Sequence, residues 1–251
     1  MTMRLRRFVA HIREQNWTAV GIDFVMLVLG ILLALQISEW NQARLDRARE
    51  HAFLGRISTE LDQSIADLER GIRLAQQREA WGRLLMAAAK DEAPVRADPG
   101  EFVVALYTAA WTFSPPVRSH AFDELRSAGE LGLVRDQSLL VAITEFYTRI
   151  AQDAQWNYVR ELRQTEYDRR VAGILDYAQI LMVSAGEQDP PIPVEDALAA
   201  RTRMLARAPF IEWLPTVADR YDEISTYRLW LEQARSLRTR IAAQLAAAGG
   251  A

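Results

Sequence analysis

The sequence predicts an all-α protein. One N-terminal transmembrane helix continues into a long stalk helix, and an elongated antiparallel helical bundle completes the fold. Three observations lead there. An apolar run lies between Trp17 and Trp40. Apolar residues then recur at helical spacing over long stretches. No stretch alternates apolar and polar residues, with β-branched content, between turn signals, so no strand is expected. The expected organisation is a short basic arm over 1–16, a membrane helix over 17–40, and a helical stalk and bundle over 41–251.

The membrane helix rests on a free-energy comparison. From Phe24 to Ile37 lie ten Leu, Ile, Phe or Val residues: Phe24, Val25, Leu27, Val28, Leu29, Ile31, Leu32, Leu33, Leu35 and Ile37. On an insertion scale these sum to roughly −3 to −6 kcal/mol, and off-centre Asp23 opposes them with at most about +3. The distance from Trp17 to Trp40 along a helix is roughly 35 Å, just beyond a hydrocarbon core of about 30 Å. Both indoles therefore read as interfacial anchors. A buried helix of a soluble protein and a cleaved signal peptide are the competing readings. The helical pattern that continues past Trp40, with no A-x-A cleavage site, opposes cleavage. Arg4, Arg6, Arg7 and Arg13 precede the segment, and Arg44, Arg47, Arg49 and Arg56 follow it. The denser N-terminal cluster favours an N-terminus in the cytoplasm and a C-terminal domain outside it.

After Trp40 the stripe Phe53, Ile57, Leu61, Ile65, Leu68, Ile72 and Ala75 predicts one helix to about Lys90. Pro94 and Pro99 mark a turn. A short helix over Glu101–Phe113 ends at Ser114-Pro115-Pro116. Ser119 is expected to cap His120–Ala128, with Gly129 near its end. Asp136 caps a second long helix, Gln137 to about Val183, with Gly173 as a weak point. Gly186–Pro193 reads as a stiff linker, and Glu195–Arg207 as a short helix. Pro209 and Pro215 bracket a third long helix, about Thr216–Ala247. Its stripe is Val217, Tyr221, Ile224, Tyr227, Leu231, Ala234, Leu237, Ile241 and Leu245. Such stripes are buried most simply against one another in a bundle.

Composition narrows the function classes. The net charge of −3 lacks the basic excess of a nucleic-acid protein, so no nucleic-acid partner is expected. Lys90 is the only lysine, an Arg-rich usage that reads as the mark of a GC-rich bacterial genome. There is no cysteine, which excludes disulfides, zinc ribbons and thiol nucleophiles. His11, His51 and His120 are isolated in sequence, and no metal or cofactor is expected. The P-loop, HExxH, G-x-S-x-G, G-x-G-x-x-G and EF-hand patterns are all missing.

On the membrane helix, Asp23, Gly30, Ala34 and Asn41 fall within about 20° of one line at 100° per residue. Small residues four apart allow close helix approach, and an intramembrane acid seeks a partner. These four residues are the candidate stripe for self- or hetero-association, beside the lipid bilayer itself. The alternative is an Asp23 near the headgroups and an ordinary membrane glycine.

Two segments resemble a family of bacterial single-pass membrane proteins of unknown function. Its mark is an acidic residue, an apolar run, and then G-I-L-I/L-A-L-Q-I-N-x-W-N. Here that pattern corresponds to Gly30-Ile31-Leu32-Leu33-Ala34-Leu35-Gln36-Ile37 followed by Trp40-Asn41. Asp23 stands where the family usually carries Glu, and Ser38-Glu39 replaces its polar pair. Ala121 to Leu131 is similar to the family's Y-x-E-L-x-x-x-G-x-L segment, and Glu145-Phe146-Tyr147 to the E-Y-Y that follows. The resemblance implies a membrane-anchored helical protein and no particular activity.

Within that second segment, Phe122, Leu125, Gly129 and Leu131 are expected to form a packed corner. Asp123, Glu124 and Glu130 could serve as an acid–base pair, but they read better as solvated charges. Trp81, Trp111, Trp156, Trp213, Trp230, Tyr221 and Tyr227 are expected in the core or bundle seam. The function expected first is an interaction or scaffold protein that presents its helices to a protein partner. A sensory or signal-relaying module comes second and an enzyme of unrecognised class third.

Overall fold

A computed structural model describes residues 17–153, 156–185 and 191–249. The basic arm with His11, and residues 186–190 of the proline-rich segment, lie outside them. Among the described residues 85% are helical and none forms a strand. The helices are α1 (Trp17–Lys90), α2 (Ala93–Ala97), α3 (Pro99–Thr108), α4 (His120–Ser127), α5 (Gln137–Asp153), α6 (Trp156–Val171), α7 (Tyr177–Ser184), α8 (Val194–Leu205), α9 (Ala208–Ala218) and α10 (Tyr221–Gly249), with a 3-10 turn at Leu131–Leu133. The chain divides into two units, Met1–Ala52 and Phe53–Ala251, and α1 contributes residues to both.

In the first unit α1 carries a window with mean hydropathy 2.2, none of it buried by the rest of the chain. This helix is long and apolar enough to cross a membrane.

The second unit has two cores. In the first, Phe53 to Leu68 of α1 pack with Leu139, Ile143 and Phe146 of α5, with α4, and with Tyr227 to Ile241 of α10. Glu69 pairs with Arg235 at 2.6 Å and Asp62 with Arg238 at 2.9 Å, so α10 runs antiparallel to α1. Ser138 meets Arg240 and Asp153 meets Trp230, so α5 also runs antiparallel to α10. The second core gathers Leu85 and Ala88 of α1 with α3 and residues of α6 to α9.

The buried line of α1 in this unit is Ile57, Leu61, Ser64, Leu68, Gly71, Ala75, Arg78, Gly82 and Leu85. Its steps alternate four and three, a heptad repeat. Three successive positions seven apart within it, Ser64, Gly71 and Arg78, are small or polar. Ile65 and Ile72, expected in the stripe, lie beside that line and are only half-buried. At Gly71 a Cβ would stand 2.5 Å from Pro115 Cγ, and at Gly82 it would stand 2.6 Å from Ala218 Cα. Glycine there lets the 109–119 loop and the end of α9 approach the α1 backbone.

Three sequence expectations need correction. The second long helix does not run unbroken to Val183. After Val171 the chain turns through Gly173 at φ 77 and restarts at Asp176. Asp176 and Gln179 form a reciprocal capping box there, at 2.9 and 3.1 Å. The third long helix is also divided, because α9 ends at Ala218 and α10 begins at Tyr221. That break turns Arg220 inward and leaves Tyr221 76% exposed rather than in the seam. Ser119 does not cap α4 through its side chain. Its Oγ donates to Asp123, and Glu60 of α1 accepts the Ala121 N–H at 3.0 Å instead. Asp136 does accept from Ser138 and Leu139 N–H at the start of α5. Past residues 186–190, Ile192 is buried in the second core.

Candidate functional site

The second unit carries its most unusual chemistry where α9 gives way to α10. The last carbonyls of a helix have no intrahelical donors, and those at the end of α3 are satisfied by side chains from far along the chain. Tyr167 Oη donates to Leu106 O at 2.7 Å, and Arg220 Nη2 donates to Ala109 O at 2.6 Å. Tyr227 Oη donates to Phe113 O at 2.7 Å further along the same loop. A cation at a helix C-terminus also complements its dipole.

Arg220 is only 2% exposed. Its Nη1 pairs with Glu223 at 3.2 Å, and its Nε has no hydrogen-bond partner. Arg78 of α1 is buried as well, and its Nη1 is likewise unpartnered. Burial pushes both guanidinium groups below their ordinary range, while attraction to Glu223 opposes that shift. Two buried cations therefore share one buried carboxylate. Burial pushes the Tyr167 and Tyr227 phenols up, so they remain neutral donors.

Beside this cluster opens a cleft of about 350 Å³. Arg160, Arg163 and Arg220 stand on its wall with Asp153, Asp222 and Glu223. Asp153 accepts from Trp230 Nε1 at 3.0 Å, and Arg163 reaches Asp219 O at 3.5 Å. Arg160 lies over the Tyr227 ring at 5.4 Å. Thr112, Ser225 and Thr226 add hydroxyls. Such a wall can bind a small polar molecule. Among the described residues no three His, Cys, Asp or Glu gather in a way that could hold a metal ion.

The sequence reading passed over Arg220 and Arg78, although a signal existed. Counting back by heptad from Leu231, Tyr227 and Ile224 lands on Arg220, and counting forward from Ser64 and Gly71 lands on Arg78.

The expected site residues are placed as follows. Asp23, Gly30, Ala34 and Asn41 are exposed on α1, and a Cβ at Gly30 would meet nothing within 4 Å. Trp40 is exposed, and the Trp17 and Trp156 indoles lie outside the described side chains. At the corner, Phe122 and Leu125 are buried and Leu131 packs against them. Gly129 is exposed at φ 71, where it closes α4. Gly129 N–H donates to Arg126 O at 3.2 Å and Glu130 N–H to Leu125 O at 3.0 Å, a Schellman motif. Its role is conformational, since no side chain crowds it. Asp123 pairs with Arg126 and Glu124 with Arg56, so the two carboxylates face different partners on the surface. Trp81, Trp213 and Trp230 pack into or against the cores, while Trp111 is 37% exposed. His51 and His120 are exposed singles.

No protein-family model, curated protein or solved structure matches this chain.

Proposed function

We propose that this chain is a membrane-tethered helical interaction protein, held in a bacterial inner membrane by α1 with its helical domain on the extracytoplasmic side. One observation carries the reading: the apolar stretch of α1, at mean hydropathy 2.2, has no burial within the chain. An uncovered apolar surface of that length in water has a cost that lipid removes. The family resemblance through Gly30 to Asn41 supports the same tether. Asp23, Gly30, Ala34 and Asn41 then face lipid or a second helix, which makes them the association stripe. The test is fractionation of the full-length protein. It is expected in membranes after a carbonate wash and released only by detergent; recovery in the soluble fraction would discard the tether. Purification in detergent is then expected to bring down a protein partner.

A second reading is a ligand-responsive, signal-relaying module. The cleft at the start of α10 favours it, because three arginines meet there beside a buried pair that lacks full compensation.

A further inference from the structure

We propose that a second cleft, walled by the end of α3, the last turns of α6 and the start of α7, binds a small alkylammonium cation against Asp168 and the Tyr107–Trp111 ring pair. Every wall residue belongs to the second unit, so the inference stands apart from the membrane tether.

The cleft holds about 290 Å³. Tyr107 and Trp111 line one side of it, with ring centroids 5.2 Å apart and planes inclined at 56°. Val171 and Ile180 add apolar surface, and Gln164 and Asp168 lie one turn apart on α6. Among the described residues, Asp168 is the only charged group on this wall. Its neighbours three and four positions away are Gln164, Thr165, Val171 and Ala172, so α6 offers it no ion pair. The arginines that follow it in sequence are committed elsewhere, since Arg169 and Arg170 both pair with Glu166. Arg207 approaches the turn at Gly173, and no ion pair joins it to Asp168 among the described residues. Partial burial raises the Asp168 carboxyl above its ordinary range, with no cation acting against the shift.

The chemistry of the wall chooses the occupant. An anion would meet Asp168 with no cation on the wall to hold it. A neutral apolar molecule would strip further water from the carboxylate and return nothing for it. A bare metal ion asks for about six oxygen ligands, and among the described residues no cluster of acids or histidines supplies a set. An alkylammonium ion meets every feature. Its charge faces Asp168, its alkyl groups lie against Val171 and Ile180, and indole and phenol faces attract cations through the ring quadrupole. A volume of about 290 Å³ is at the small end of ligand pockets, which suits a cation of few heavy atoms.

The experiment is a thermal-stability titration of the full-length protein in a non-ionic maltoside detergent, with isothermal titration calorimetry on the parent. The probes are the chlorides of tetramethylammonium, choline and n-butylammonium, with sodium chloride holding ionic strength constant. The comparator is 3,3-dimethylbutan-1-ol, which has the shape of choline without its charge. At least one cation is expected to raise Tm saturably and to release or take up heat on binding, while the neutral alcohol does neither. Asp168→Asn keeps the side chain's shape and breaks no ion pair, and Trp111→Leu changes a residue that is 37% exposed. Both variants are expected to melt near the parent, and each should weaken the cation at least about fivefold, the scale of one exposed charge pair or one cation–ring contact. No saturable response to any of the three cations would overturn the proposal. So would an equal response to the neutral alcohol, or an affinity unchanged in both variants. The membrane fractionation reads a different property, so failure of either result leaves the other interpretable.

Discussion

Arg220 and Ala109 are 111 positions apart, and the Nη2 of one donates to the carbonyl oxygen of the other at 2.6 Å. This bond ties the end of α3 to the start of α10, between the two cores. Arg220→Met removes it together with the ion pair to Glu223. The variant is expected to lose about 3–5 kcal/mol, the usual cost of breaking a buried ion pair by deleting one side. Arg220→Met combined with Glu223→Leu should cost less than the two singles summed, by about 0.5–3 kcal/mol of coupling. Denaturant unfolding of the four proteins measures this.

Two glycines of α1 should respond to alanine in opposite directions. At Gly82 the new Cβ would lie 2.6 Å from backbone of Ala218, which no rotamer change relieves. Gly82→Ala is expected to cost about 1–3 kcal/mol. At Gly55 nothing lies within 4 Å, so Gly55→Ala should stabilise the helix by about 0.5–1 kcal/mol. Equal shifts in melting temperature from the two changes would contradict the packing described for α1.

Gly129 tests backbone conformation separately from space. A Cβ there meets nothing, but φ is 71. Gly129→Val is expected to cost about 1–2 kcal/mol through the left-handed conformation alone, and Gly129→Asn clearly less. Differential scanning calorimetry on both variants separates them.

Acid sensitivity should trace in part to Asp136. Hydrogen bonds from the Ser138 side chain and the Leu139 N–H hold its carboxyl below the ordinary value of 3.8. A folded-state value lowered in this way gives stability that is full above the unfolded carboxylate range and is lost as pH falls through the folded value. Asp136→Asn keeps a capping oxygen without the charge. Melting temperatures between pH 6 and pH 2.5 should therefore fall more steeply in the parent than in the variant.

Association through the membrane helix is open to cross-linking. If Asp23 and Gly30 lie at a helix contact, Asp23→Leu and Gly30→Ile should each reduce cross-linked oligomers in membranes. Unchanged oligomers in both would remove the stripe from the account.

The legible parts of this protein were those that local chemistry decides. The apolar run through Leu27 and Leu35 needs no partner to declare itself. Helical periodicity also identified α1 and the greater part of α10, and Asp136 marked the start of α5. Gly173 stood out as a weak point of the second long helix, but the apolar residues around Asp176–Gln179 hid the capping pair that turns it into a break. Glu60 could not be anticipated as the cap of α4, because nothing in the neighbourhood of Ser119 announces a carboxylate from 61 residues away.

What the sequence alone determined is the all-helical character and one helix apolar enough to cross a membrane. Both follow from composition and period, which act within a few turns of chain. Tertiary structure decided the rest: that Tyr221 faces outward while Arg220 turns in, that Gly71 and Gly82 are contact points, and that two buried arginines share Glu223. Those outcomes depend on where distant backbones meet, since a buried guanidinium is tolerated only where acceptors such as Ala109 O arrive from elsewhere in the chain.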